Sequence, residues 1–225
     1  MRSLEVRQLG RMDYAEALDL QRSLVEERRA GRIGDLLIFV EHPHVLTVGV
    51  RGDGGRSHIL APADSLKERG IEVHETGRGG DVTYHGPGQI VGYPILDLRP
   101  DRQDVHRYMR DLEEVLIRAV GDFGIGASRL PGLTGIWVSG SKLAAIGVRI
   151  SRWVTSHGFA LNVTTDLEYF DLIVPCGIFD RGVTSLSRLG VQASRSEIES
   201  RIAAQFCEVF ERALSPAQVA AGSAR

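Results

Sequence analysis

The chain contains little cysteine: among its 225 residues, Cys176 and Cys207 are the two that carry a thiol. Neither belongs to a Cys-x-x-Cys pair or to a cluster of cysteine and histidine, which are the spacings that hold zinc. Two isolated cysteines also make no disulfide framework. The sequence therefore predicts two free thiols and no metal site.

Long apolar runs are also missing. A helix that spans a bilayer needs about 20 consecutive apolar residues, and no segment of this chain approaches that length. The first ten residues lack the apolar stretch of a secretory signal. The formal net charge of −2 and the isoelectric point near 6.4 argue against a general nucleic-acid binder. We therefore expect a cytoplasmic protein that binds neither membrane nor nucleic acid.

Helix and strand patterns alternate along the chain without a linker that would divide it. Helical spacing of apolar residues predicts a first helix after a capping box formed by Asp13 and Glu16, a second over 105–121, and a last one begun by Ser194 or Ser196. Short apolar runs predict strands at 36–40, 45–50 and 93–98, and a three-part meander over 135–163 with a tight turn at 139–141.

These elements mix without strict alternation of strand and helix, which favours an α+β fold over a parallel doubly wound one. We predict one domain over residues 1–215, with a mixed β-sheet and flanking helices. Residues 216–225 are expected to be a flexible tail.

Cys176 is the first candidate for chemistry. It stands between Pro175 and Gly177, a rigid and a permissive residue that can hold a thiol at an exposed turn. A free cysteine is nevertheless more often a small buried hydrophobe than a nucleophile. Cys207, which lies in the periodic last helix, illustrates that case. The residue alone leaves both interpretations open.

Lys142 is the candidate partner for that thiol. Lysine occurs only at Lys67 and Lys142, so the remaining 25 of the 27 basic residues are arginine. Lys142 follows the predicted turn at 139–141 and enters a half-buried strand, where burial disfavours the charged form of an amine. An arginine could not take up and release a proton there. Lys67, on a helix expected to be solvated, shows that one of the two lysines has no such role.

The glycine-rich string TGRGGDVTYHGPGQIVG at 76–92 is the third feature. Its backbone N–H groups could approach a ligand and hold an oxyanion, but a pair of tight turns explains it equally well. It matches neither the dinucleotide-binding nor the P-loop pattern.

His157, directly before Gly158, could line a pocket or cap a strand, and Trp137 and Trp153 are expected to pack in the core.

Five segments together resemble the lipoyl(octanoyl) transferases over nearly the whole chain. These are EHPHVLTVG at 41–49, RGGDVTYHGPGQIVGYPI at 78–95, KLAAIGVRI at 142–150, HGFALNV at 157–163 and IVPCGI at 173–178. The resemblance implies an α+β fold related to the biotin- and lipoate-protein ligases. It also implies an acyltransferase that moves an octanoyl group to a lysine of another protein, an early step of protein lipoylation, without a cofactor.

The resemblance further implies the partners of the reaction. The donor would be octanoyl-acyl carrier protein. The acceptors would be the lipoyl domains of 2-oxoacid dehydrogenase E2 subunits and the glycine cleavage H protein.

The resemblance assigns site residues position by position. Cys176 takes the place of the nucleophile that forms an acyl thioester, and Lys142 that of the residue that shuttles its proton. Asp81 and Val82 stand at variable positions of the family and are expected to contact substrate through their backbone. The positions that match substrate-contacting segments are Arg78, Gly79, Gly80, Asp81, Val82, Thr83, Tyr84, His85, Ala145, Ile146, Gly147, Gly158, Phe159 and Ala160.

Three alternatives stay open. An ATP-dependent lipoate- or biotin-protein ligase on the same fold would need no cysteine and would require ATP. A non-catalytic module that binds an acyl group or its carrier would fold without turnover. A Cys/His hydrolase that uses His85 or His157 would release the acyl group to water faster than it transfers it.

Overall fold

The computed structural model describes residues 2–51, 56–174 and 182–215. Two predictions therefore lie outside the described residues. They are the place of Cys176 and its neighbours at 175–181 and the flexible tail at 216–225.

The described residues form eleven strands and four α-helices. The strands are β1 (Arg2–Arg11), β2 (Asp35–Glu41), β3 (Val45–Val48), β4 (Glu72–Glu75), β5 (Thr83–His85), β6 (Gln89–Ile95), β7 (Ser128–Leu130), β8 (Leu133–Val138), β9 (Ser141–Ser151), β10 (Val154–Asn162) and β11 (Arg212–Leu214). The helices are α1 (Tyr14–Arg29), α2 (Ala63–Glu68), α3 (Val105–Gly121) and α4 (Arg195–Phe210), and 3₁₀ turns cover Arg56–His58 and Leu167–Leu172.

Eight of these strands form the main sheet, in the order β11-β1-β2-β6-β10-β9-β8-β7. The strands β11, β1 and β2 run parallel to one another, and the remaining neighbours are antiparallel. The sheet is therefore mixed. A smaller sheet of three strands, β4-β3-β5, lies beside it.

Helices cover both faces of the main sheet. This is required because the central strands of the sheet carry apolar side chains on both faces. On one face α3 and α4 pack over Leu37, Phe39 and Phe159. On the other face α1 packs over Ile38, Tyr93 and neighbouring apolar residues. A third cluster joins the small sheet to α2 and the turn at 167–172. The predicted α+β fold with a mixed sheet and flanking helices is confirmed.

None of the helices in the described part of the chain combines the length and apolar character required to cross a bilayer.

Local signals predicted most of the element positions. The meander over 135–163 is confirmed as β8, β9 and β10, and its turn places Ser139 and Gly140 at positive φ, as a two-residue hairpin requires. Ser194 begins α4 with a complete capping box to Glu197. The capping box predicted at Asp13 is wrong, because the Asp13 side chain makes no cap hydrogen bond there.

Two strand predictions need correction. The runs at 36–40 and 45–50 were expected to begin one sheet, but β2 belongs to the main sheet and β3 to the small one. The strand expected at 93–98 begins earlier, as β6 at Gln89. Its N-terminal half therefore extends into the glycine-rich string, which brings that string into the centre of the sheet.

Candidate functional site

The site begins with two neighbouring strands. β9 and β10 are antiparallel, and their register sets Gly158 opposite Gly147 and Ala160 opposite Ala145. The segments 145–147 and 158–160, which the resemblance assigned to substrate contact, thus lie side by side although 13 residues separate Ala145 and Gly158 in sequence. They form one patch of small residues in the sheet.

Glycine is required in this patch because backbone segments come very close. A Cβ atom on Gly158 would lie 2.2 Å from the carbonyl oxygen of Gly92 in β6. One on Gly147 would lie 2.9 Å from the carbonyl oxygen of Gly79. The glycine-rich loop therefore packs directly on β9, and no larger residue fits between them.

A narrow, mostly apolar slot opens over this patch. The residues that line it are Tyr14, Arg78, Gly80, Asp81, Val82, Thr83, His85, Val91, Tyr93, Ala145, Ile146, Gly147, His157, Gly158, Phe159 and Ala160. The structure thus brings together the substrate-contacting residues predicted from the sequence, apart from Gly79 and Tyr84.

Gly79 and Tyr84 contact other parts of the protein. The Gly79 N–H donates to the Val148 carbonyl oxygen at 2.9 Å, so this donor is already used and does not face an oxyanion. The Tyr84 ring is buried against Tyr169 with ring centroids 5.1 Å apart. Its hydroxyl lies 2.8 Å from Nδ1 of His44.

Asp81 and Val82 line the slot, but the Asp81 carboxylate and the Val82 side chain make their contacts with other parts of the protein. The Asp81 carboxylate accepts the Val82 N–H at 2.7 Å and lies 2.6 Å from Nδ1 of His58. The Val82 side chain is fully buried in the cluster under the small sheet.

A buried arginine fixes the loop at one side of the slot. The Nη2 atom of the Arg78 guanidinium donates to the carbonyl oxygen of Thr47 at 2.6 Å and to the Oγ1 atom of Thr47 at 2.9 Å. The Thr47 hydroxyl also lies 3.4 Å from Nε2 of His85. Arg78 and His85, which belong to one motif in sequence, are therefore joined through a threonine of β3.

A chain of buried amides continues from His85. Its Nδ1 lies 2.8 Å from Oε1 of Gln89, and the Gln89 amide donates to Oδ1 of Asn162 at 2.9 Å. Because Oε1 of Gln89 can only accept, His85 carries its proton on Nδ1, and its Nε2 accepts from Thr47. The Asn162 amide donates in turn to the carbonyl oxygen of Thr184.

Lys142 lies at the end of this chain. The Thr184 N–H donates to the Lys142 carbonyl oxygen, and the Lys142 N–H donates to the Gly182 carbonyl oxygen at 2.9 Å. The side chain is 7% exposed, and its Nζ lies 4.8 Å from the centre of the Trp137 ring. The Lys142 amine thus lies over the aromatic face of Trp137, so Trp137 contacts this residue as well as packing in the core.

The cavity around Lys142 adjoins the slot. It is lined by Thr83, Gln89, Lys142, Ala145, Ala160, Asn162, Phe170 and Val183. Three of these residues, Thr83, Ala145 and Ala160, also line the slot. Lys142 thus lines a cavity that borders the slot.

The position of Cys176 relative to Lys142 lies outside the described residues. The flanking residues are described on both sides. The Val174 N–H donates to the His58 carbonyl oxygen, and the chain resumes at Gly182, which is hydrogen-bonded to Lys142.

Cys207, in contrast, lies half-buried in α4, where burial raises the pKa of its thiol. It packs against the core from α4, as the helical pattern predicted.

The imidazoles around the slot are neutral at physiological pH. Burial lowers the pKa of His85 to about 3 and that of His42 and of His157 to about 4. Burial also raises the pKa of Tyr14 to about 12. The slot is therefore lined by uncharged rings, with Arg78 as the cation among its lining residues.

Several residues of the site carry no recognisable local pattern. Tyr14 lines the slot from α1. Tyr93 also lines it, and the Tyr93 hydroxyl donates to Nε2 of His42 at 2.7 Å. Thr47 and Asn162 come from different sheets. The one available signal is polarity, because Gln89 begins β6 directly before an apolar run and Asn162 ends β10 directly after one.

The comparisons with known proteins show the family of the chain. The family model described as the lipoyl protein ligase A/B catalytic domain matches residues 13–207. A relative named octanoyltransferase, from Solibacter usitatus, is 53% identical over 96% of this chain and 97% of its own length. A second octanoyltransferase, from Acidobacterium capsulatum, is 52% identical over 92% of this chain and 90% of its own.

Solved structures show the same fold at low sequence identity. A lipoate-protein ligase A bound with ATP superposes with a TM-score of 0.75 at 18% identity, over 96% of this chain and 88% of the other. The biotin protein ligase from Aquifex aeolicus superposes with a TM-score of 0.54 at 13% identity, over 94% and 70%. The expected relation to both ligase folds is confirmed.

Proposed function

Because the chain belongs to the lipoyl protein ligase A/B catalytic-domain family, we propose that it transfers an octanoyl group to a lysine of lipoyl carrier domains. The donor is octanoyl-acyl carrier protein, and the transfer is an early step of protein lipoylation. The observation that carries the proposal is the buried Lys142 in a cavity that borders a mostly apolar slot and shares Thr83, Ala145 and Ala160 with it. The octanoyltransferase relatives support the same assignment.

In the proposed mechanism Cys176 is the nucleophile and Lys142 its proton-transfer partner. Lys142 accepts the thiol proton, and the thiolate attacks the carbonyl carbon of the donor thioester. The thiol of the carrier leaves and takes up the proton. The enzyme then holds the octanoyl group as a thioester on Cys176.

The second half of the reaction repeats this chemistry with an amine. The acceptor lysine loses a proton and attacks the octanoyl-Cys176 carbonyl, which forms an amide and returns the thiol. An amide is more stable than a thioester, so the transfer proceeds without ATP. No metal or organic cofactor takes part in these steps.

The slot is proposed to hold the octanoyl chain. Its walls are the small residues of β9 and β10, and each buried methylene contributes about 0.8 kcal/mol to binding. The neutral imidazoles around it, His42, His85 and His157, impose no charge on an alkyl chain. Several kcal/mol of affinity for the acyl group follow from this burial.

The partners and the setting belong to the same proposal. The acceptors are the lipoyl domains of 2-oxoacid dehydrogenase E2 subunits and the glycine cleavage H protein, and the reaction takes place in the cytoplasm. Residues 1–215 act as a single catalytic domain. Arginines of the surface steer the acidic carriers, which makes docking dependent on salt.

The related fold of a ligase that binds ATP makes the adenylate route the alternative to test. Purified protein is mixed with octanoyl-acyl carrier protein and a lipoyl domain in the absence of ATP. We expect octanoylation of the acceptor lysine, measured by intact-protein mass. Modification from free octanoate that appears only when ATP is added contradicts the proposal.

A further inference from the structure

The slot has a far end, opposite Lys142, and a single residue closes it. Beyond the slot lies a wider groove of about 340 Å³ between α1 and the outer part of β9 and β10. Among the described residues, His157 is the one that lines both cavities. The imidazole therefore separates the apolar slot from the groove.

The backbone holds His157 firmly in this place. Its φ is 55°, in the left-handed region that residues with a side chain seldom adopt. Its N–H donates to Oε1 of Gln21 in α1 at 2.7 Å. The residue is 4% exposed. The strand thus adopts an unusual backbone conformation at His157, and the His157 ring lies at the boundary of the two cavities.

The distance along the strand matches a chain of limited length. Ala160 lines both the Lys142 cavity and the slot, and His157 lies three residues before it on β10. Three residues of an extended strand cover about 10 Å. An acyl chain that starts where the Lys142 cavity meets the slot, at Ala160, and runs along β10 therefore reaches His157 within a length comparable to that of an extended octanoyl group.

We infer that His157 is the end wall of the acyl slot and limits the length of the acyl chain that the enzyme transfers. This inference rests on the proposed function and names a determinant of its substrate class. The ring of His157 contacts the terminal methyl group of the acyl chain. Longer chains are excluded because their last carbons collide with this ring.

Burial supports this role, since the neutral form of His157 carries no charge toward a methyl group. The groove beyond it offers room, with apolar surface from Leu18 and Val25 of α1 beside charged side chains of the same helix. Removal of the imidazole therefore joins the slot to a space that can receive additional methylenes.

The test replaces His157 with glycine, which adopts positive φ without strain. Arg152→Gly is the matched control, because Arg152 also has positive φ, at 51°, but is exposed in the turn between β9 and β10 and does not line the slot. Transfer to a lipoyl domain is measured with octanoyl-, decanoyl- and dodecanoyl-acyl carrier protein. The readout is the ratio of kcat/KM for each longer chain to that for octanoyl.

We expect His157→Gly to raise the decanoyl-to-octanoyl ratio by about tenfold, since each buried methylene changes binding about fourfold. Arg152→Gly should leave the ratio unchanged. His157→Asn, a smaller residue that tolerates positive φ, should give an intermediate shift.

An unchanged ratio in folded His157→Gly protein, with wild type active on octanoyl, overturns the inference and leaves the proposed function intact. Loss of transfer for every chain in both His157 variants, with Arg152→Gly active, also overturns it, because the histidine would then act in the reaction itself. Wild-type protein that transfers none of the three chains contradicts the proposed function instead. Circular dichroism confirms the fold of each variant.

Discussion

The two ends of the site are built in different ways from the same pair of strands. At the Lys142 end, Gln89, Asn162 and Thr184 form a chain of buried hydrogen bonds that leads to the lysine backbone. At the other end, glycines let β10 pack closely on β6 and the glycine-rich loop pack closely on β9, and the buried imidazole of His157 is neutral.

This difference follows from what each end has to do. Proton transfer needs groups held in a defined orientation, and a fully satisfied network of amides provides it. An alkyl chain needs space and apolar walls, which small residues and uncharged rings provide along most of the slot. Substitutions at the Lys142 end should therefore affect rate, and those at the far end should affect stability and chain selection.

The largest expected effect comes from Lys142→Arg. Arginine is a long basic side chain like lysine but stays protonated and cannot accept the thiol proton, so acyl transfer should fall by about 10²–10⁴-fold. Lys67→Arg is the matched control, because Lys67 is the other lysine of the chain and lies exposed on α2. Its kcat should equal that of wild type. A folded Lys142→Arg protein with a wild-type rate would remove the lysine from the mechanism.

A smaller effect is expected when the close packing at the slot is disturbed. Alanine at Gly158 would bring a methyl group to 2.2 Å from the Gly92 carbonyl oxygen, so β6 and β10 must separate. The free energy of unfolding should fall by about 2–3 kcal/mol. Gly121→Ala is the control, since a Cβ atom there meets no atom within 4 Å. Equal urea midpoints for the two variants would contradict the close-packing account.

The smallest effect concerns pH. His42 is neutral in the folded protein, with a pKa of about 4, whereas the unfolded chain binds a proton near pH 6.5. Stability from this residue is therefore present above pH 6.5 and is lost as the pH falls toward 4. Between pH 7 and 5 wild type should lose about 2 kcal/mol more than His42→Asn. Parallel pH profiles from urea unfolding would show that His42 does not titrate in this way.

Sequence predicted the parts of this protein that depend on neighbours in the chain. The turn at Ser139 and Gly140 and the capping box of Ser194 are local, and both were identified. The family motifs also placed most of the slot. Asp13 shows the limit of such signals, because the capping pattern is present and the hydrogen bond is not.

The remaining parts depend on contacts between distant residues. Gln89 and Asn162 are 73 positions apart, and β1 pairs with β11 at the opposite end of the described chain. Tyr14 meets the slot from a helix that no short pattern connects with the other lining residues. Periodicity indicates that a side chain is buried, but not which partner it meets, so these contacts emerge only from the fold.

The most direct test of the account is the covalent intermediate on Cys176. Wild-type protein and Cys176→Ala are incubated with octanoyl-acyl carrier protein without acceptor, and intact masses are recorded before and after hydroxylamine. The account predicts one octanoyl adduct on wild type, removed by hydroxylamine and absent from Cys176→Ala. Acceptor modification by Cys176→Ala at the wild-type rate, without any adduct, would contradict it.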